Sequence, residues 1–149
     1  MSVGKAIAVA VDGTEASRAA LDFALGLARA RGRALAGVFV IDAGWADFIG
    51  NDWQSSRNAR QGFLDHMRRE QEAQAALARR QFERAADLPE NRFSVLVGDP
   101  AEALIGLMAE GGYEALVIGR GAFEACGRPS VRRLPRALAR KVRQPVHLV

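Results

Sequence analysis

The run Leu116, Val117, Ile118, closed by Gly119, Arg120 and Gly121, constrains the fold of this chain more than any other stretch. It is apolar without alternation, which suits a strand covered on both faces of a parallel sheet rather than one with a solvated side. Glycines at the C-terminal end of such a strand let backbone N–H groups approach an anion, and the helix that follows offers its positive end to the same charge. Any tight strand-to-helix turn uses glycines too, so the loop alone does not decide between phosphate binding and turn making.

Strand and helix signals alternate along the rest of the chain. Lys5 to Val11 reads as a first strand. Asp12-Gly13 then turns into a helix from about Thr14 to Arg31, with Thr14 as N-cap, a stripe of Ala16, Ala19, Ala20, Phe23, Ala24, Leu27 and Ala28, and Gly32 as its stop. Ala34 to Ile41 is a second strand. The segment from Asp42 to Ser56 reads as a loop, yet it carries Trp45, Phe48, Ile49 and Trp53 and so must pack on something: the domain's own core, a ligand or a partner. A long charged helix runs from about Asn58 to Ala86, with Phe63, Met67, Leu77 and Phe82 as its apolar contacts, and no apolar heptad persists through it.

Arg92 to Val97 is a third strand that alternates enough to lie at a sheet edge. Asp99, Pro100 and Glu102 then compose a helix start, with Ala101, Leu104, Ile105 and Met108 facing inward and Gly111-Gly112 at the end. After the glycine loop, Val131, Leu134, Leu138 and Val142 recur at helical spacing, and Pro135 requires that helix to start late or to kink. Pro145 to Val149 is the last strand. Five strands alternating with four helices predict one α/β domain over 1–149, an open, mostly parallel sheet with helices on both faces.

The 149 residues suffice for one core. The N-terminal apolar run is too short to span a membrane and carries no small-residue cleavage site. The single cysteine, Cys126, excludes an internal disulfide and fits a reducing cytoplasm. Between residues 128 and 143 lie Arg128, Arg132, Arg133, Arg136, Arg140, Lys141 and Arg143 with no acidic residue, so the basicity of the chain is local. This cluster is either a solvated helix face or a region that attracts phosphate or nucleic acid. No aromatic interleaving or recognised motif surrounds it, so only weak, salt-sensitive association with nucleic acid is expected.

Ligands of open α/β sheets bind beyond the carboxyl ends of the strands. That rule gathers Asp12 and Gly13, Val40 and Asp42, and Gly119 and Gly121 around one crevice. Asp12 is either a ligand contact or a turn maker before the first helix. No GxSxG elbow or GxxxxGK[ST] loop is present, and His66 and His147 have no nucleophile or metal spacing around them, so a regulatory binding domain is expected rather than an enzyme.

Four stretches, AVAVDGTEASRAAL, GDPAEAL, YEALVIGRG and QPVHLV, come in this order over essentially the whole chain. They resemble the universal stress protein family. The resemblance implies a doubly wound five-stranded sheet of order 3-2-1-4-5, of the adenine nucleotide alpha hydrolase type, in a cytoplasmic homodimer needed under stress. It further implies an ATP loop with the pattern Gly, two residues, Gly, nine residues, Gly, then Ser or Thr. Here the first glycine matches Gly119, the second falls on Ala122 with Gly121 beside it, and the final pair falls on Arg132 and Arg133. The family's aspartate after the first strand and apolar residue after the second match Asp12 and Val40.

The adenine side is therefore expected to be kept and the phosphate side altered. Arg132 and Arg133 either obstruct the phosphate cradle or add charge to it, and obstruction, with weak binding of ATP or another adenine nucleotide, is the expectation. Three function classes follow: a homodimeric interaction domain with a degenerate site, a nucleotide sensor using Arg132 and Arg133, and a weak nucleic-acid binder. The homodimer is expected to join through the apolar C-terminal strand, whose edge invites another strand.

Overall fold

The computed structural model describes residues 5–51 and 57–149. Five strands, β1 (Ala6–Ala10), β2 (Leu35–Asp42), β3 (Arg92–Gly98), β4 (Tyr113–Ile118) and β5 (Val146–Leu148), form one parallel sheet in the order β3-β2-β1-β4-β5. Right-handed crossovers in that order place helices on both faces. Helices α1 (Glu15–Arg31) and α3 (Arg57–Ala85) pack against each other on one face, and α4 (Pro100–Ala109) and α5 (Leu134–Lys141) pack together on the other. The central strands β1 and β4 are buried beyond their first residues, as their unbroken apolar runs require: Ile7 to Val11 and Leu116 to Ile118 are inaccessible to solvent.

Local chemistry explains where the helices begin and end. Asp99 Oδ2 accepts the Glu102 N–H at 3.1 Å at the start of α4, and Pro100 takes the first turn, where no intrahelical donor is needed. Gly32 ends α1 in the left-handed conformation. Pro135 does delay α5: residues Pro129–Arg133 form a 3-10 turn first, and the α-helix proper starts at Leu134.

The structure corrects three expectations. The buried face of α1 is Ser17, Ala20, Leu21, Ala24 and Ala28, whereas Ala19 and Phe23 are exposed; the Phe23 ring lies beside His147 at 5.2 Å. In α3, Phe82 is buried as expected, but Leu77 is exposed, and Gln71, Ala75 and Ala78 face inward instead. The segment expected as a loop contains a short helix, α2 (Trp45–Ile49). Trp45 meets Phe48 and Phe63 edge-on at 5.6 and 5.8 Å, and the Arg60 guanidinium of α3 donates to the Gly50 carbonyl just past the helix and to the Ala46 carbonyl, which also accepts the Gly50 N–H. Trp53 lies outside the described residues.

Candidate functional site

Three aspartates stand at the carboxyl ends of three adjacent strands: Asp12 after β1, Asp42 at the end of β2 and Asp99 after β3. Asp12 is 1% exposed. Its Oδ1 accepts the Thr14 N–H at 2.9 Å and the hydroxyls of Thr14 and Ser17, so Thr14 occupies the N-cap position of α1 without capping through its own side chain. Its Oδ2 accepts the Phe123 N–H at 2.8 Å. Asp42 accepts the Gly44 N–H at 3.0 Å and, from across the crevice, Arg128 Nε at 2.8 and 2.9 Å and the Arg128 N–H at 3.3 Å. Arg128 Nη2 extends to Asp99 Oδ1 at 2.8 Å. All three carboxylates thus hold the segment that follows β4. Among the described residues no three His, Cys, Asp or Glu side chains are grouped as a metal would require.

The segment they hold fills the crevice. Phe123 adopts φ +67°, a left-handed conformation unusual for a bulky residue, and its ring is buried edge-on against Phe39 at 5.5 Å. What remains between Asp12, Val40, Gln71, Pro100, Phe123 and Cys126 is a space of about 10 Å³, room for one water at most. Burial pushes the Cys126 thiol up to about 11, and the carboxylates of Asp12, Glu70 and Asp42 add to the effect. Hydrogen bonding to Asp42 raises the Arg128 guanidinium above its already high ordinary value against the opposing effect of burial, so this arginine is always a cation.

The opposite wall is set by glutamines of α3. Gln71 takes the Asp42 N–H at 2.6 Å and returns a bond to the Asp42 carbonyl at 3.0 Å. Gln74 donates to the Asp12 carbonyl, and Gln81 bridges the Gly13 N–H and the Thr14 carbonyl at 3.1 and 2.9 Å. At 100° per residue these three glutamines fall within about 80° of arc, beside the buried Ala75, Ala78 and Phe82. That stripe is legible in the sequence as amides adjoining an apolar face.

The sequence-derived site residues divide into three groups. Asp12 and Val40 line the crevice. Gly119 is buried where a Cβ would strike the Ala16 carbonyl oxygen, which lets the chain cross the first turn of α1; Gly121 follows at φ +74° on the surface, and Ala122 is buried. Arg132 and Arg133 are exposed on the 3-10 turn, and neither lines the crevice; Arg133 borders a shallow cleft with Asp99, Pro100 and Ala101. The residues that meet the strand-end carboxylates are Phe123 and Arg128: sequence reasoning did not single out the first and counted the second only among the basic cluster.

A family model described as the universal stress protein family matches residues 4–149. The chain belongs to the universal stress protein family. Solved structures similar to this universal stress protein include universal stress protein UspA from Lactobacillus plantarum, at 18% identity and TM-score 0.69 over 99% of each chain. A universal stress protein in complex with cAMP is 20% identical with TM-score 0.63, over 99% of this chain and 98% of the other. The universal stress protein from Archaeoglobus fulgidus in complex with dAMP is 19% identical with TM-score 0.61, again over 99% and 98%. These likenesses support the fold that the strand order already shows. No curated protein matches the sequence significantly. Among the described residues no helix is long and apolar enough to cross a membrane.

Proposed function

We propose that this universal stress protein is a cytoplasmic regulatory interaction domain, not an enzyme, that serves the stress response as a homodimer and whose adenine-nucleotide crevice is closed by its own chain. One observation carries the reading: Asp12 Oδ2 is taken by the Phe123 N–H and Asp42 by Arg128, leaving about 10 Å³ where a small-molecule pocket has some 300–1,000 Å³. Relatives of the same fold hold cAMP and dAMP, which makes adenine nucleotides the ligands to test. Calorimetry with ATP, dAMP and cAMP is expected to give no heat of binding at micromolar concentrations. Micromolar ATP affinity that disappears in Arg132→Ser or Arg133→Ser would replace this reading with a nucleotide sensor holding phosphate on those arginines.

The dimer is proposed from the free edge of β5, where Val146 and Leu148 are partly exposed and Phe23 lies close by beside His147. A twofold axis along that edge pairs both strands at once. Sedimentation equilibrium is expected to show a dimer at micromolar concentration, weakened by Val146→Lys. A monomer under those conditions would overturn it.

A further inference from the structure

We propose that Arg128 is a latch: it holds the turn 121–128 over the crevice, and its release from Asp42 and Asp99 swings the turn outward and opens the space beside Asp12, Phe39 and Val40. The proposal deepens the closed-crevice reading and rests on it. The side-chain bonds that tie this turn to the strand ends all run to three carboxylates, and two of the three are gathered by Arg128 alone. The seat is shaped for a guanidinium. A Cβ on Gly44 would collide with it, and Asp42 grips Nε while Asp99 takes Nη2 at the far side.

The turn that this residue holds down is also the one that carries backbone strain. Phe123, with its left-handed φ, sits between Gly121, itself at φ +74°, and Gly127, whose N–H bonds back to the Phe123 carbonyl at 2.9 Å. The plug is therefore a compact unit with a glycine at each end, pinned at one end through Arg128 and at its middle by the Phe123 N–H on Asp12. Arg128 acts through the turn and is a positioning residue.

Cys126 lies on the turn, half-buried against the crevice, and reports its opening without any nucleotide. N-ethylmaleimide labelling of the full chain, with rates corrected for the thiolate fraction from a pH profile, is expected to be slow in the unmodified protein. Arg128→Ala is expected to speed it at least tenfold and Asp99→Asn several-fold, while Arg133→Ala leaves it unchanged. Removing a cation disfavours the thiolate, so the charge change in Arg128→Ala opposes the acceleration and cannot produce it. Asparagine keeps the cap of α4, so Asp99→Asn decides the matter should Arg128→Ala fail to fold. Labelling of a folded Arg128→Ala or of Asp99→Asn within twofold of the unmodified rate overturns the latch alone. A steep dependence on low urea, which marks global unfolding, overturns it as well. Fast labelling of the unmodified protein shows an open crevice and overturns the closed-crevice reading with it.

Discussion

Arg128 and the cations that follow it, from Arg132 to Arg143, belong to one acid-free stretch of sequence but to two physical environments. The Arg128 side chain is 16% exposed and forked between two carboxylates, whereas Arg132, Arg133, Arg136, Arg140, Lys141 and Arg143 are exposed. Their local charge density is similar in the sequence; their partners are not. What separates them is that the chain turns back over the strand ends at residue 128 and only then enters the 3-10 turn and α5, carrying one guanidinium inward and leaving the others in water. A charge cluster read from sequence therefore mixes a structural group with a solvated face, and mutations separate the two.

The largest effect is expected at Asp42. Replacing it with Ala leaves the Arg128 guanidinium with Asp99 alone and deprives Arg128 Nε and the N–H groups of Gly44 and Arg128 of their acceptor, which should cost about 3 kcal/mol in urea unfolding. Gly44→Ala leaves every charge in place but pushes a methyl group into the guanidinium seat, and the same measurement should register a loss of about 1–2 kcal/mol. A loss equal to that of Asp42→Ala would mean that shape, not charge, dominates the seat.

Glu114 offers an intermediate case, an acceptor for exposed arginines at the opposite end of the sheet. Hydrogen bonds from Arg31 and then Arg33 hold its carboxyl below the ordinary carboxylate value. A lowered folded-state value contributes stability above the unfolded pKa, and that contribution disappears as pH falls through the folded one. Glu114→Gln should therefore be slightly less stable than the unmodified protein at neutral pH and indistinguishable from it in acid, as read from thermal midpoints across a pH series. The smallest effect belongs to Arg132→Ser with Arg133→Ser: stability within about 0.5 kcal/mol, and a slope of DNA affinity against salt reduced by no more than about 2.

The fold was legible because its signals are local. Unbroken apolar runs marked β1 and β4, Asp99-Pro100 marked the start of α4, and the order of strands and helices left few topologies. Misplacing Ala19 and Phe23 on the buried side of α1 has a specific cause. Ser17 turns inward to bond Asp12 and rotates the buried stripe toward Leu21, a preference that an apolar pattern does not contain. Asp12 and Val40 could be read because they end strands. Phe123 and Arg128 could not, because their decisive contacts reach back 111 and 86 positions, to carboxylates whose own local turns already gave them a plausible role. The helix α2 was hidden by its length, since five residues are too few for a period to emerge.

The amides of Gln71, Gln74 and Gln81 give the crevice a wall of a different kind from the one opposite. Amides do not titrate and gather no counter-ions, so the ends of β1 and β2 stay tied to α3 at any pH or ionic strength that leaves the protein folded. The facing segment hangs on ionised groups. The strand ends thus meet neutral amides on one side of the cleft and charged groups on the other, and α3 is the frame against which the facing segment is set.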